Sequence, residues 1–256
     1  SYSQAHKRPP SLPEYDPSKL YITFYLGDYD AASWTLNIGV RNWQSPDRGK
    51  LPLAWAFNPN LYERIPQVFD YFHKTATKND IFVAGDSGAG YVNPNLFMAG
   101  KRKHSDLPDA LKAWESWCSK FYKKFDITLT PFILDGNTGY SSDTVLATYA
   151  KFSPDGAAVW SYPGQYYGMK LVNDMPVIGM PQNEAINQNS KPEEASEQLL
   201  NAISARRTLP FYQIKTCIIN PSLIVSAVEL AKKQDPNIVV LDIYTFYAMI
   251  ERELKK

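Results

Sequence analysis

Polar residues able to do chemistry recur in this sequence at one kind of place, directly after short apolar runs. Gly27-Asp28-Tyr29-Asp30 follows the run 20–26, Asn58 follows 51–57, and Gly85-Asp86-Ser87 follows 81–84. Asp135-Gly136-Asn137 follows 127–134, and Tyr162, with Gln165 nearby, follows 157–160. Gln182-Asn183-Glu184 follows 175–180, Asn220 follows 214–219, and Asp242 follows 238–241. A single carboxylate after a strand is most often a turn or helix cap, a role that suits Asp30 and Asp242. Eight runs that end alike describe a polar rim instead. Two carboxylates across such a rim suffice to cleave a glycosidic bond. One protonates the leaving oxygen, and the other attacks the sugar or activates water. Asp86 and Asp135 are the expected pair, with Asp28 and Asp30 next. Tyr91, Asn58, Asn137, Tyr162, Gln165, Glu184 and Asp242 are expected to contact the substrate.

Rings reinforce that reading. Phe, Tyr and Trp make up 14% of the 256 residues, and many sit beside Gly, Asn, Asp and Pro rather than inside apolar runs. Most aromatic rings serve cores. Rings at Trp34, Tyr91, Tyr140, Trp160, Tyr162, Tyr166 and Tyr167 could equally line a polar cleft and stack on a sugar. The same residues suit a non-catalytic carbohydrate-binding protein. What separates the two is whether paired carboxylates turn the ligand over.

Other classes are excluded by composition. The chain has 27 Lys and Arg against 26 Asp and Glu, so no basic footprint for nucleic acid or an anionic membrane exists. No apolar run approaches the roughly 20 residues that span a bilayer. Two cysteines, Cys118 and Cys217, cannot make a disulfide scaffold or a Cys-based zinc site. The three histidines are His6, His73 and His104, and none follows an apolar run. A polysaccharide deacetylase holding its metal with Asp and His ligands is therefore the third choice, and no metal site is expected. Ser87 likewise lacks a base for a serine-hydrolase arrangement. Gly88-Ala89-Gly90 lacks the third glycine and the following helix of a dinucleotide fingerprint, so no cofactor is expected.

The elements that must position these groups alternate. Residues 1–19 carry Pro9, Pro10, Pro13 and Pro17 and read as a proline-rich, extended linker. From residue 20 onward the eight apolar runs read as strands. Between them, 3.6-residue periods predict helices over 62–79, 106–125, 141–152, 222–234 and 244–255, with a weaker one over 31–43. Ser190-Lys191-Pro192-Glu193 matches a capping box and predicts a further helix that ends near Arg206 and Arg207. Strand–helix alternation implies an α/β fold with a parallel sheet. Eight strands over residues 20–256 predict a TIM-like (β/α)-barrel, irregular or seven-stranded because the fifth unit lacks its helix. Such a barrel carries its site at the C-terminal ends of the strands.

The longest loop, 85–103, carries a resemblance. Gly88-Ala89-Gly90-Tyr91-Val92-Asn93-Pro94 resembles the signature of the GxGYxYP family of putative glycoside hydrolases. Both glycines, the first tyrosine and the proline are kept, while Asn93 stands where the signature has its second tyrosine. The likeness extends to Gly27-Asp28-Tyr29-Asp30 and the region of Asp242. It implies a barrel-like catalytic domain acting on a poly- or oligosaccharide. It also implies a smaller N-terminal companion domain that lies outside this chain, and an exported protein, periplasmic or secreted.

Overall fold

Each apolar run has something to bury on two faces, and that decides where it goes. The computed structural model describes residues 2–4, 11–29, 31–102, 104–136, 140–162, 168–181, 184–205 and 207–256. The strands are β1 (Leu20–Tyr29), β2 (Leu53–Phe57), β3 (Asp80–Ala84), β4 (Leu129–Gly136), β5 (Gly156–Tyr162), β6 (Lys170–Val172), β7 (Met175–Gly179), β8 (Phe211–Thr216) and β9 (Ile238–Val240). The helices are α1 (Ala32–Trp34), α2 (Val40–Trp43), α3 (Pro66–Thr75), α4 (Leu111–Phe125), α5 (Asp143–Ala150), α6 (Pro192–Ile203), α7 (Pro221–Gln234) and α8 (Ile243–Leu254). A π-helical turn, Thr35–Gly39, joins α1 to α2, so the weakly periodic 31–43 stretch forms one irregular helical segment.

The strands make two sheets, not the expected TIM-like barrel of seven or eight parallel strands. One sheet is parallel and runs β3-β2-β1-β8, with β9 also paired to β1. The other runs β4-β5-β7-β6, and its edge strand β6 is antiparallel to β7. The strand β6 was not among the predicted runs. It is the first arm of a hairpin turned by Asn173 and Asp174, both with positive φ, as tight hairpin turns require.

Closure fails for a topological reason. β8 takes one edge of β1 from Tyr21 to Leu26. The other edge is shared, with β2 along its upper part and β9 only at Leu20–Ile22. The last strand therefore does not bridge the two sheets. β8 and β7 do not pair either, and a cavity of about 360 Å³ opens between β8 and α6 on that side.

The space that strands would enclose is filled by a helix. Tyr21, Tyr25, Ala54, Ala56, Ile81, Val83, Phe132, Ala158 and Phe211 turn inward, where they share one cluster with Ile243, Tyr244, Phe246, Tyr247, Met249 and Ile250 of α8. The alternate residues Ile22, Phe24, Leu26, Trp55 and Phe57 face the outer helices. Gly156, at φ +151°, leaves room for Tyr247, whose ring would lie 2.2 Å from a Cβ there. Pro131 interrupts the β4 ladder, whose register shifts between Thr130 and Ile133. Its carbonyl accepts instead from Gln213 Nε2 at 2.7 Å, and Gln213 Oε1 accepts from the Tyr247 hydroxyl at 2.7 Å. This chain of bonds ties β8, β4 and α8 together across the interior.

Local signals fixed most helix ends. Ser142 caps α5 through Val145 N, Asn220 caps α7 through Ser222 N, and Asp242 caps α8 through Thr245 N. Two expectations failed. α4 starts at Leu111, five residues after the expected start at 106, and Asp109 accepts from Leu111 N. The capping box at α6 does not form: Lys191 is the cap residue, and the Ser190 hydroxyl instead accepts from Gln198.

The described part of the N-terminal segment has no helix or strand but lies packed on the fold. The Gln4 carboxamide bonds both main-chain groups of Phe82, closing part of the free edge of β3. Tyr15 stacks on Tyr21 and Phe211.

Candidate functional site

β3 ends in an unusual stretch of backbone. Asp86 and Ser87 both adopt left-handed φ, 54° and 71°, and Gly88 follows at 122°. Left-handed backbone costs a non-glycine residue energy and persists only where its surroundings over-determine it. Here the surroundings are hydrogen bonds to Ser87. Its N–H donates to the Phe132 carbonyl at 2.9 Å, its hydroxyl accepts from Leu134 N at 2.8 Å, and its carbonyl accepts from the Tyr149 hydroxyl at 2.6 Å. Burial pushes the Tyr149 phenol well above its ordinary pKa, with the Cys118 thiol adding to it, so the phenol remains a donor. Ser87 thereby acts as one extra rung between β3 and β4, with its hydroxyl oxygen as the acceptor of one of those bonds.

This rung sets Asp86 beside the end of β4, where Asp135 lies. The two carboxylate residues are 2% and 1% exposed. Asp135 accepts from Ser141 N, one residue before the cap of α5, and so faces the loop that leads into that helix. The expected catalytic pair is thus brought to neighbouring strand ends.

The loop beyond Ser87 explains the glycines of the signature. Gly88 lies against α4, and a Cβ there would sit 3.0 Å from Cys118 Sγ and 3.2 Å from the Trp114 ring. Ala89 is buried; its N–H donates to Cys118 Sγ and its carbonyl accepts from Trp117 Nε1 at 2.8 Å. Burial pushes the Cys118 thiol up to about 12, so it packs as a small apolar group. Asn93 caps the 3-10 turn Pro94–Phe97 by accepting from Asn95 N. The residue that departs from the signature therefore has a local task. Tyr91 projects from this docked loop and is 55% exposed. Tyr140 after β4 and Trp34, at the end of α1 after β1, are exposed at 41% and 43%, so three segments that follow strands each present a ring.

A row of stacked rings lies on the inward face of β1, β4 and β5. Phe132 stacks between Tyr25 (centroids 5.9 Å, 13°) and Trp160 (5.5 Å, 23°). Gly27 and Gly85 leave room for Tyr25, whose hydroxyl would lie 2.8 and 3.1 Å from a Cβ at those positions. Lys215 of β8 places its ammonium 4.7 Å from the Trp160 ring centroid and 5.9 Å from that of Phe132. Sequence reasoning missed Lys215. The signal was a lysine inside the apolar run 214–219, but its inward direction depends on which face of β8 is internal.

The remaining expected residues are not all brought here. Asn58 is buried at the end of β2, and its Oδ1 has no hydrogen-bond partner among the described residues. Glu184 lines the 360 Å³ cavity beside β8 and an adjoining one of about 460 Å³, on the side where the sheets do not join. Asp242 lies far from the rim. Val240 pairs with Ile22, so Asp242 sits roughly 15–20 Å below the end of β1 at about 3.3 Å per residue. Its carboxylate is occupied by both the N–H and the hydroxyl of Thr245. Asp28 and Tyr162 have their main chains in β1 and β5, but their side chains lie outside the described residues, as do Asp30, Asn137 and Gln165 altogether.

The described histidines are away from the rim. His73 of α3 stacks on Phe82 at 4.0 Å, and burial lowers its pKa to about 4. His104 lies in an exposed stretch of the 85–103 loop's continuation. Among the described residues no group of three or more His, Cys, Asp or Glu could hold a metal ion, and no helix is long and apolar enough to cross a membrane.

A family model described as GxGYxYP putative glycoside hydrolase C-terminal domain matches residues 18–250. No curated protein matches the chain. A solved structure of a putative hydrolase from Bacteroides thetaiotaomicron is similar over 99% of this chain, at 19% identity and a TM-score of 0.75. The chain covers 49% of that protein, about half its length. A putative polysaccharide deacetylase from Mycobacterium smegmatis is similar over 96% of this chain and 95% of its own, at 11% identity and a TM-score of 0.60. A CE4 family pseudoenzyme with restored enzymatic activity is similar over 91% of this chain and 69% of its own, at 9% identity and a TM-score of 0.50. Identities this low speak for the fold alone. They agree with an open α/β arrangement in place of a closed barrel.

Proposed function

The chain belongs to the GxGYxYP putative glycoside hydrolase C-terminal domain family, and from that premise we propose that it hydrolyses a poly- or oligosaccharide at the ends of β3 and β4. Asp86 and Asp135 serve as the acid/base pair. One carboxyl protonates the leaving glycosidic oxygen; the other carboxylate attacks the anomeric carbon or deprotonates the attacking water. Tyr91 and Tyr140 stack on the sugar from the loops above.

The observation that carries this reading is the strained backbone of Asp86 and Ser87. Aspartate tolerates left-handed backbone, as Asp126 and Asp174 do, but serine adopts it far less readily. Ser87 is held there, next to a buried carboxylate residue, by the bonds it makes to β4 and α5. Such strain is characteristic of residues that must be pre-positioned for chemistry.

The test is release of reducing sugar from a panel of glycans, comparing the parent chain with Asp86→Asn and Asp135→Asn. Turnover lost in both variants, with folding retained, supports the assignment. Equal turnover in parent and variants removes it. A second reading, non-catalytic carbohydrate binding, is favoured by the bond from Ser141 N that engages Asp135. Saturable binding without any product would select it.

A further inference from the structure

We propose that residues 2–4 form a clasp across the seam between the two sheets, and that His73 opens this clasp in acid. The inference stands apart from the preceding reading, since it concerns the lower end of that seam.

β3 is an edge of one sheet and β4 an edge of the other, and no ladder joins them. Leu53 N donates to the Asn79 carbonyl and Gly85 N to the Phe57 carbonyl, so alternate residues of β3, Ile81 and Val83, turn their main-chain groups toward β2. Phe82 therefore offers its N–H and carbonyl to the seam. Gln4 takes both: its Oε1 accepts from Phe82 N at 2.7 Å, and its Nε2 donates to the Phe82 carbonyl at 2.9 Å. The same Nε2 donates to the Asp126 carbonyl at 3.1 Å, and Gln4 N donates to Asp126 Oδ2 at 2.9 Å. Asp126 closes α4 and leads into β4. One side chain thus bonds both sides of the seam, below the link that Ser87 makes at the exit of β3.

Tyr2 anchors the clasp. Its hydroxyl donates to Asp70 Oδ1 of α3, and its ring packs on Tyr62, His73 and Phe125. Burial, and then the bond to Asp70, pushes this phenol above its ordinary pKa, so it stays a donor. His73 touches both halves of the arrangement. Its ring meets Tyr2 edge-on, with centroids 4.8 Å apart, and stacks at 4.0 Å on Phe82, the residue that Gln4 holds. Asp70 lies three residues earlier on α3 and shares its face of the helix. The other charged or titratable groups around it are the Tyr62 phenol, Lys124 of α4, whose ammonium lies 3.9 Å from the Tyr62 ring centroid and 5.9 Å from that of Tyr2, and Asp126 behind Gln4.

A neutral imidazole suits this slot. A proton adds a charge and a further N–H donor, and ring faces satisfy them only in part. The carboxylate that α3 offers one turn away is Asp70, the acceptor of Tyr2. Imidazolium and phenol then compete for it, and the way out to water leads from between Tyr2 and Phe82. Either move withdraws a partner from Tyr2. The pKa of about 4 agrees: burial lowers it most, Asp70 opposes, and the charge of the amino terminus lowers it further. Release leaves the main chain of Phe82 unpaired on an edge strand.

The experiment follows the Phe82 amide by hydrogen exchange and the His73 ring by proton NMR, in the whole chain, from pH 7 to 3.5. The Val83 amide, which faces β2, reports the fold itself. In the parent, protection of Phe82 should fall tenfold or more as His73 titrates, while Val83 keeps its protection. Gln4→Ala should expose the Phe82 amide at every pH. It should also move the His73 titration up from about 4 toward 6.5, because release and protonation favour one another. His73→Phe, which keeps the stack, should hold Phe82 protected over the whole range. Equal protection of Phe82 in the parent and in Gln4→Ala overturns the clasp, as does a parallel loss at Val83 in acid. An acid loss that persists in a folded His73→Phe overturns the switch, because Asp70 or Asp126 then takes the deciding proton. An unmoved His73 midpoint in Gln4→Ala does the same.

Discussion

The main-chain N–H of Leu134 donates to the hydroxyl of Ser87 across 2.8 Å, and this bond, with that from Ser87 N to the Phe132 carbonyl, is what lays the exit of β3 against β4. No regular ladder joins these two strands, which belong to different sheets. A single serine in left-handed backbone does the joining there, directly after Asp86 at the exit of β3.

Ser87→Ala removes the acceptor of Leu134 N–H at a part-buried position. Leaving such a donor unsatisfied costs about 1–3 kcal/mol. The expected result is a lower urea midpoint with an unchanged m-value, accompanied by loss of activity because Asp86 is no longer held. A midpoint equal to that of the parent would show that the two sheets are held together elsewhere.

Asp86→Asn and Asp135→Asn are each expected to lower kcat/KM on the responsive glycan by about 10²–10⁴, the usual weight of a general acid or base. Thermal melts should change little, since the substitution keeps shape. A fall below tenfold in both would move the acid/base role away from these strand ends.

Gly88→Ala meets two obstacles, a φ of +122° and a Cβ 3.0 Å from Cys118 Sγ. Gly100→Ala shares only the first kind, since its φ is +74° and nothing lies within 4 Å. Gly88→Ala should therefore be the more destabilising of the two, by roughly 1 kcal/mol or more beyond the left-handed penalty common to both. Parallel denaturation curves of the two variants decide this.

His73 has a folded pKa of about 4 against an ordinary 6.5; burial dominates, and Asp70 opposes it. The unfolded chain binds the proton more readily, so stability is full above about 6.5 and declines as the pH falls toward 4. The loss from this group is of the order of 2 kcal/mol, allowing for solvent screening around a ring that is not fully enclosed. Stability measured from pH 7 to 4 should fall less steeply in His73→Phe, which keeps the stack on Phe82. Identical slopes would assign the acid sensitivity to other groups.

Much of this protein was legible before its tertiary structure. The 244–255 period reads as a helix and is observed as Ile243–Leu254; the 222–234 period is observed as Pro221–Gln234. Such elements depend on residues three and four apart, and those spacings are visible in the chain. The local tasks of Ser142, Asn220 and Asp242 are capping bonds made to residues two or three positions on, and they were equally near at hand. The positions of Asp86 just after β3 and of Asp135 near the end of β4 were also inferable, because the polar residues that close an apolar run are visible in the chain.

What the linear pattern left open concerned partners far apart. α8 is amphipathic like its fellows, and nothing in its period tells that it enters between two sheets rather than covering one. Asp242 ends its apolar run just as Asp86 does, but β9 pairs with the foot of β1, and that register removes it from the rim. Lys215 looked like an ordinary charge in a strand until β8 was seen to turn that face toward Phe132 and Trp160. Hydrophobic period and capping act over a few residues, so they alone marked every described strand but β6, most of the helices and the polar residues that follow the strands. Tertiary structure alone decided which edges pair, which faces turn inward and which carboxylates meet, because those choices depend on contacts between segments tens of residues apart.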